Sequence, residues 1–292
     1  MSSVDGLPTE PVRLTEVVGG RVVERLDEAV VEEPLEIRVA PGDRPGEAPV
    51  RLAVTMRTPG SDFELAIGFL ATEGIVGAPR DVARIAYCTD PAEPRHHNIV
   101  TVTLAPGVAF DLDRLRRNFF TSSSCGVCGK AAIEHLRTRI PRRAEGRFRV
   151  PGETLRSLPS RAAPSQRTFG RTGGLHAAAL FRPDGELLAL REDVGRHNAV
   201  DKLIGGRLLA GTPWDDRCVL LVTGRAGFEL VQKAAVAGIP FLAAVGAPST
   251  LAIDLAREQG MTLVGFLREG RFNVYTGVER VAPSGRQSTN GT

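Results

Sequence analysis

Between residues 218 and 267 the chain alternates strand-like and helix-like runs so regularly that few folds can hold it. The apolar runs 218–223, 241–245 and 261–267 have strand length, and the intervening 228–237 and 251–259 carry apolar residues at helical spacing. Strand–helix–strand–helix–strand at these separations implies a parallel sheet, because each helix returns the chain to the same edge, with right-handed crossovers. A closing strand at 271–276 can return antiparallel. Upstream, 177–181 and 186–191 flank Pro183-Asp184-Gly185, which has the chemistry of a hairpin turn, and 198–209 reads as a helix.

The first third is different. Residues 36–40, 51–56 and 98–104 read as short strands. Between them Ser61-Asp62-Phe63-Glu64 has the form of a capping box, opening a helix with Phe63, Ala66, Ile67 and Leu70 on one face and Gly74 at its end. The expected organisation is an N-terminal α+β domain over 1–120, an α/β domain over 121–280 and a disordered polar tail over 281–292. The stretch 141–173, rich in Pro, Arg, Ser and Gly, reads as an irregular connection with one or two short helices.

Composition excludes several classes of function. At 292 residues, 42% hydrophobic and 24% charged, the chain can build a core without disulfides or metal. A net charge of +3 and 5% aromatic residues give neither the field nor the stacking surface of a nucleic-acid binder. The first residues lack the basic and apolar regions of a signal peptide, and no apolar run approaches the ~20 residues of a membrane span. Four cysteines in a chain of this length do not form a disulfide framework, so a cytoplasmic location is expected.

Two of those cysteines stand together, as Cys125-Gly126-Val127-Cys128, on a loop leading into a helix expected at 131–140. A helix N-terminus and Lys130 both favour thiolate over thiol, and the thiolate is the nucleophile. Glycines 126 and 129 let the loop extend toward a partner. Reactive sulfur on a reachable arm, with a second thiol for exchange, suits a sulfur carrier. Three other readings compete. A zinc site needs a second pair of ligands, which is missing. A thioredoxin-like pair is chemically close, but Ser-rich sequence rather than an apolar strand leads into it. Inert buried thiols fit the Gly/Ser surroundings poorly, whereas Cys88 and Cys218 lie in or beside apolar strands and read as core.

Other segments suggest anion binding. Thr223-Gly224-Arg225-Ala226-Gly227 and Gly246-Ala247-Pro248-Ser249 each join a strand to a helix, so both emerge at one sheet edge with helix N-termini suited to phosphate. A purely structural turn also wants glycine there, and neither loop is a Walker or dinucleotide fingerprint. Phe266-Leu267-Arg268-Glu269-Gly270-Arg271 is either a basic loop at that edge or a solvated hairpin tip. His176 and His197 end apolar elements; a structural donor is the ordinary reading, but Asp193, Gly195 and Arg196 around His197 resemble a site. The arginine-rich run from 137 to 149 reads as a solvated face that could dock an acidic partner.

Taken together, Glu33–Val39, Thr58-Pro59-Gly60, 69–75 (FLATEGI), 123–129, Thr172–His176, 192–205 (EDVGRHNAVDKLIG) and 237–240 resemble the formate dehydrogenase accessory sulfurtransferases of the FdhD/NarQ family. The likeness runs over about 15–280. It implies a C-terminal three-layer, cytidine-deaminase-like domain, although the deaminase H-x-E and the proline before its first cysteine are absent. It further implies that Cys125 carries persulfide sulfur received from a cysteine desulfurase, with Cys128 its helper. The sulfur passes to a bound Mo-bis(molybdopterin guanine dinucleotide), which serves apo-formate dehydrogenase. The cargo would meet Phe266–Arg271, Gly224, Arg225, His176 and His197; no structural metal, nucleic acid or membrane is implied, and a homodimer is. The family often has serine where this chain has Gly227 and Gly246. A chaperone that binds the cofactor without moving sulfur, or a dithiol redox protein, is the alternative.

Overall fold

The computed structural model describes residues 7–44, 46–90, 92–93, 96–108, 148–212 and 217–283. The chain divides into two compact units: 7–108, 166–177 and 191–212 form one, and 148–165, 178–190 and 217–283 form the other. The sequence suggested a single cut at residue 120. Long-range pairing, which leaves no mark in local composition, instead returns 166–177 and 191–212 to the first unit.

The first unit rests on a four-stranded sheet of order β4-β3-β6-β5, made of β3 (Glu33–Ala40), β4 (Val50–Arg57), β5 (Val82–Tyr87) and β6 (Ile99–Leu104). β3 pairs antiparallel with β4 and parallel with β6, and β5 pairs antiparallel with β6. Period-two alternation buries Leu35, Ile37 and Val39 against Val100, Val102 and Leu104, and against Leu65, Ile67 and Leu70 of α1 (Asp62–Thr72). Each such side chain contributes about 1.5–3 kcal/mol relative to exposure.

The capping box does not form. Ser61 adopts φ 58° and its side chain caps nothing. The start of α1 is held instead by Arg57, whose Nε and Nη2 donate to Asp62 at 3.0 and 2.8 Å. Burial works against the Arg57 charge, but Asp62 and Glu33 outweigh it and hold its pKa above the ordinary value. The buried Asp62 carboxylate lies where a helix N-terminus favours negative charge. Glu64, freed from capping, receives Arg191 Nη2 at 2.7 Å.

α1 crosses α4 (Arg196–Leu209) with no side chain between the backbones at two points. A Cβ on Gly68 would collide with the Asp201 carbonyl, and one on Gly205 with the Glu64 carbonyl. The unit also carries a ribbon the sequence reading passed over, β1 (Thr9–Val18) and β2 (Arg21–Val30), paired antiparallel along their whole length. Gly19 and Gly20, at φ 57° and 82°, supply the left-handed pair that a two-residue hairpin turn demands. Arg171, on α3 (Arg167–Thr172), ties its base, donating to Thr9 Oγ1 at 2.9 Å and pairing with Glu28 at 3.1 Å.

The second unit is organised by a six-stranded sheet of order β13-β12-β11-β10-β8-β9. β10 (Val219–Val222), β11 (Phe241–Ala244) and β12 (Thr262–Gly265) are parallel, as the spacing required. β13 (Asn273–Thr276) returns antiparallel to β12, and β8 (His176–Phe181) is antiparallel to β10. β9 (Leu187–Asp193) forms the edge beside β8. Val219, Leu221, Phe241 and Ala243 pack with Leu155 and Leu158 of α2 (Gly152–Ala162), next to the short pair β7 (Val150–Pro151) and β14 (Val281–Ala282). Leu220, Val222, Leu242 and Ala244 fall on the opposite face and are also buried, so both faces are covered. The crossovers β10 to β11 and β11 to β12 contain α5 (Phe228–Val236) and α6 (Thr250–Glu258). Mixed α/β architecture is thus what the chain adopts. Among the described residues no helix is long and apolar enough to cross a membrane.

Candidate functional site

In the second unit, the loops that follow β10, β11 and β12 are joined through their backbones. Ala226 N donates to Ala247 O at 3.1 Å, Ser249 N to Ala226 O at 3.1 Å, Gly246 N to Gly224 O at 2.9 Å and Phe266 N to Gly246 O at 3.0 Å. The approach is close enough that a Cβ on Gly246 would lie 2.8 Å from Arg225 Cα and from Gly224 O. Serine is excluded there by space, whereas Gly227 faces open room. α5 begins at Gly227, which has no side chain to cap it, while α6 is capped by Ser249 Oγ, which accepts from Ala252 N at 3.2 Å.

The third loop is strained. Phe266 has φ 53°, rare for an aromatic residue, and is 39% exposed. Leu267 anchors it, its side chain wholly buried in the core and its N–H donating to Ala244 O at 3.0 Å. Arg268 Nη1 reaches back to Val245 O at 2.6 Å, and Arg268 and Arg271 close the turn through mutual backbone bonds. Arg225, Arg268 and Arg271 are exposed at this edge, with Glu229 and Glu269 the acids among them. The edge offers guanidinium groups, one helix N-terminus without a side-chain cap and an exposed ring.

In the first unit, the turn ahead of α4 is built on buried charge. Asp193 is 0% exposed and its carboxylate accepts four donors: Gly195 N at 2.8 Å, Asn198 Nδ2 at 3.0 Å, Thr58 N at 3.2 Å and Lys202 Nζ at 2.8 Å. Lys202, 2% exposed, also donates to Thr58 O at 2.8 Å, and Val194 N donates to Thr58 Oγ1 at 3.3 Å. Asn198 Nδ2 continues to Met56 O at 2.7 Å, and Asp201 takes Thr72 Oγ1 at 2.9 Å. Glu192 receives the N–H groups of Thr168 and Phe169, capping α3 from a distant part of the chain. Arg196, His197 and, at the start of β8, His176 are half-buried. Burial, then the charges of Arg196 and His197, push the His176 imidazole below its ordinary value, with Asp193 opposing.

The description FdhD/NarQ family matches residues 30–282. This chain belongs to the FdhD/NarQ family. Among similar proteins is the sulfur carrier protein FdhD of Streptomyces coelicolor, 53% identical over 95% of this chain and 97% of that one. The protein of that name from Mycobacterium tuberculosis is 48% identical over 94% of this chain and 99% of its own. A crystal structure from Desulfotalea psychrophila, assigned as a formate dehydrogenase accessory protein, superposes with a TM-score of 0.70, covering 94% of this chain and all of that one. At 24% identity that likeness speaks for the fold alone.

Within the motifs, the geometry separates residues whose side chains or backbones are tied into the fold from residues that stay partly exposed. Thr58, Thr72, Asp193, Asn198, Asp201, Lys202 and Gly205 are spent on one another and on backbone. Gly224, Arg225 and Phe266–Arg271 come together at one edge of the second unit, with Leu267 as anchor; His176 and His197 lie in the first unit beside Arg196. Sequence reasoning had noted Arg196 only as part of the crowd around His197, although a cation at the first position of a helix was a signal. Cys125 and Cys128 lie outside the described residues. Cys218 is buried and Cys88 half-buried. Among the described residues no group of three His, Cys, Asp or Glu side chains is placed to hold a metal.

Proposed function

We propose that this chain is a sulfur carrier that accepts persulfide sulfur from a cysteine desulfurase on Cys125 and passes it to Mo-bis(molybdopterin guanine dinucleotide), bound as cargo for apo-formate dehydrogenase. The observation that carries the cargo half is the edge formed by residues 224–227, 246–249 and 266–271. Exposed guanidinium groups and an uncapped helix N-terminus suit pyrophosphate, and the strained, exposed Phe266 suits a flat ring. The sulfur half is supported by near-full-length identity to proteins named sulfur carriers and by the Cys125–Cys128 pair beside Lys130. On the same reading the six-stranded sheet with its helices is the family's deaminase-like domain, and the working form is a homodimer in the cytoplasm.

The transfers balance without an outside oxidant. The Cys125 thiolate attacks the outer sulfur of the desulfurase persulfide; a new Cys125–sulfur bond forms and the desulfurase cysteine leaves as thiolate. For delivery, the Cys128 thiolate attacks the Cys125 sulfur; the bond from Cys125 to the outer sulfur breaks, and that sulfur, taking one proton from solvent, leaves as hydrosulfide, which the cargo would take up in exchange for an oxygen ligand released as hydroxide. The resulting Cys125–Cys128 disulfide is returned to two thiols by a cellular dithiol reductant.

Incubating the protein with an active desulfurase and cysteine, then measuring peptide mass, tests the reading. One extra sulfur on the Cys125 peptide, removed by reductant and missing in Cys125→Ala, is the expected result. A Cys125→Ala protein that still activates formate dehydrogenase would overturn it in favour of a cofactor chaperone.

A further inference from the structure

Arg196 occupies a place that folding alone does not favour. It is the first residue of α4, a fourteen-residue helix, where the macrodipole disfavours a cation, and His197 follows it. The first turn of α4 holds no acid, and the N-cap residue Gly195 has no side chain to cap with. Asp193, three residues before it, already accepts from Gly195, Asn198, Thr58 and Lys202. The Nε of Arg196 is buried and has no hydrogen-bond partner among the described residues. A donor in that state costs free energy unless something accepts from it. Arg196 and His197 also help, after burial, to lower the pKa of the neighbouring His176.

We infer that Arg196, with His176 and His197, is the anchor of an oxyanion site in the first unit, and that its ligand is a phosphate group of the dinucleotide cargo. This rests on the cargo assignment above and adds a binding residue separate from the loop edge of the second unit. The turn beneath supplies rigidity: Asp193 and Lys202 fix the start of α4, so the backbone that carries Arg196 is set before any ligand arrives. An arriving phosphate accepts from Nε and gains from the helix N-terminus and the neighbouring imidazoles.

The test uses the full-length protein with inorganic pyrophosphate as probe, followed by calorimetric titration and by thermal unfolding. Arg196→Gln should bind pyrophosphate about tenfold or more weakly, the loss of a charged hydrogen bond, and Arg196→Lys should recover part of it. Without ligand Arg196→Gln should unfold at the same temperature as the parent or higher, because an uncompensated cation has been removed; pyrophosphate should raise the transition of the parent by more than that of the variant, which keeps only the loop edge of the second unit. Equal affinity in parent and Arg196→Gln, or no binding by the parent, overturns the inference. So does a lower unligated transition in the variant, which would make Arg196 a structural residue. Persulfide loading of Cys125, measured separately, stays normal in Arg196→Gln if only this inference fails, and is missing in the parent if the sulfur-carrier reading fails.

Discussion

The turn at 193–202 in the first unit and the loop edge in the second are both held rigid, by opposite means. The turn is pinned by side chains: one buried carboxylate gathers four donors, one of them a buried ammonium. The edge is pinned chiefly by backbone, three loops exchanging N–H···O bonds across glycine-tight contacts, with the Leu267 and Arg268 side chains as additional anchors. Charge gives a lock that a single substitution can strand, since the remaining partner keeps its desolvation cost. Backbone bonding gives a lock that tolerates any side chain except one that takes up room. The first kind leaves no doubt about which residues must be present, the second about which atoms must be absent.

The largest test of that contrast is Asp193→Ala, which leaves Lys202 buried with only the Thr58 carbonyl. It should cost about 3–5 kcal/mol in urea unfolding, and a loss below about 1 kcal/mol would show that charge is not what holds the turn. Next is Gly246→Ala, whose Cβ has no space beside Arg225 and Gly224. A loss of about 1–3 kcal/mol is expected by the same assay.

A smaller effect belongs to His176, whose pKa lies below the ordinary 6.5 because of burial and the cations beside it. Between the folded value and about 6.5 the unfolded chain binds a proton that the native state refuses. Stability therefore rises with pH through that interval and is lost as pH falls through it. His176→Gln should flatten this slope in unfolding curves measured from pH 7 downward; an unchanged slope would assign it to other groups. Least of all, Gly227→Ser adds a capping hydroxyl in open space at an extended N-cap and should gain a few tenths of a kcal/mol.

The parallel sheet was legible because strand and helix periods alternate within fifty residues, and local pattern is enough to order β10, α5, β11, α6 and β12. Other elements depend on partners that local pattern cannot name. Ser61 and Glu64 match a capping box letter for letter, yet Glu64 is claimed by Arg191, far along the chain. The crowding of Gly, Arg and Asp near His197 is visible in the sequence. That Asp193 is the centre of a buried lock was hidden, because Thr58, which closes the lock, lies 135 residues from Asp193. The β1–β2 ribbon was legible in principle: Val-Val-Gly-Gly-Arg-Val-Val is a strand, a two-glycine turn and a strand.

The glycine crossing of α1 and α4 makes α4 a lever with a hard fulcrum. Gly205 sits nine residues from Arg196, roughly 13 Å along the helix axis at 1.5 Å per residue, and rests directly on the backbone of α1. With nothing compressible at the fulcrum, any atom added there tilts or slides the far end, so replacements at Gly68 or Gly205 should alter anion affinity at Arg196 without touching the ligand.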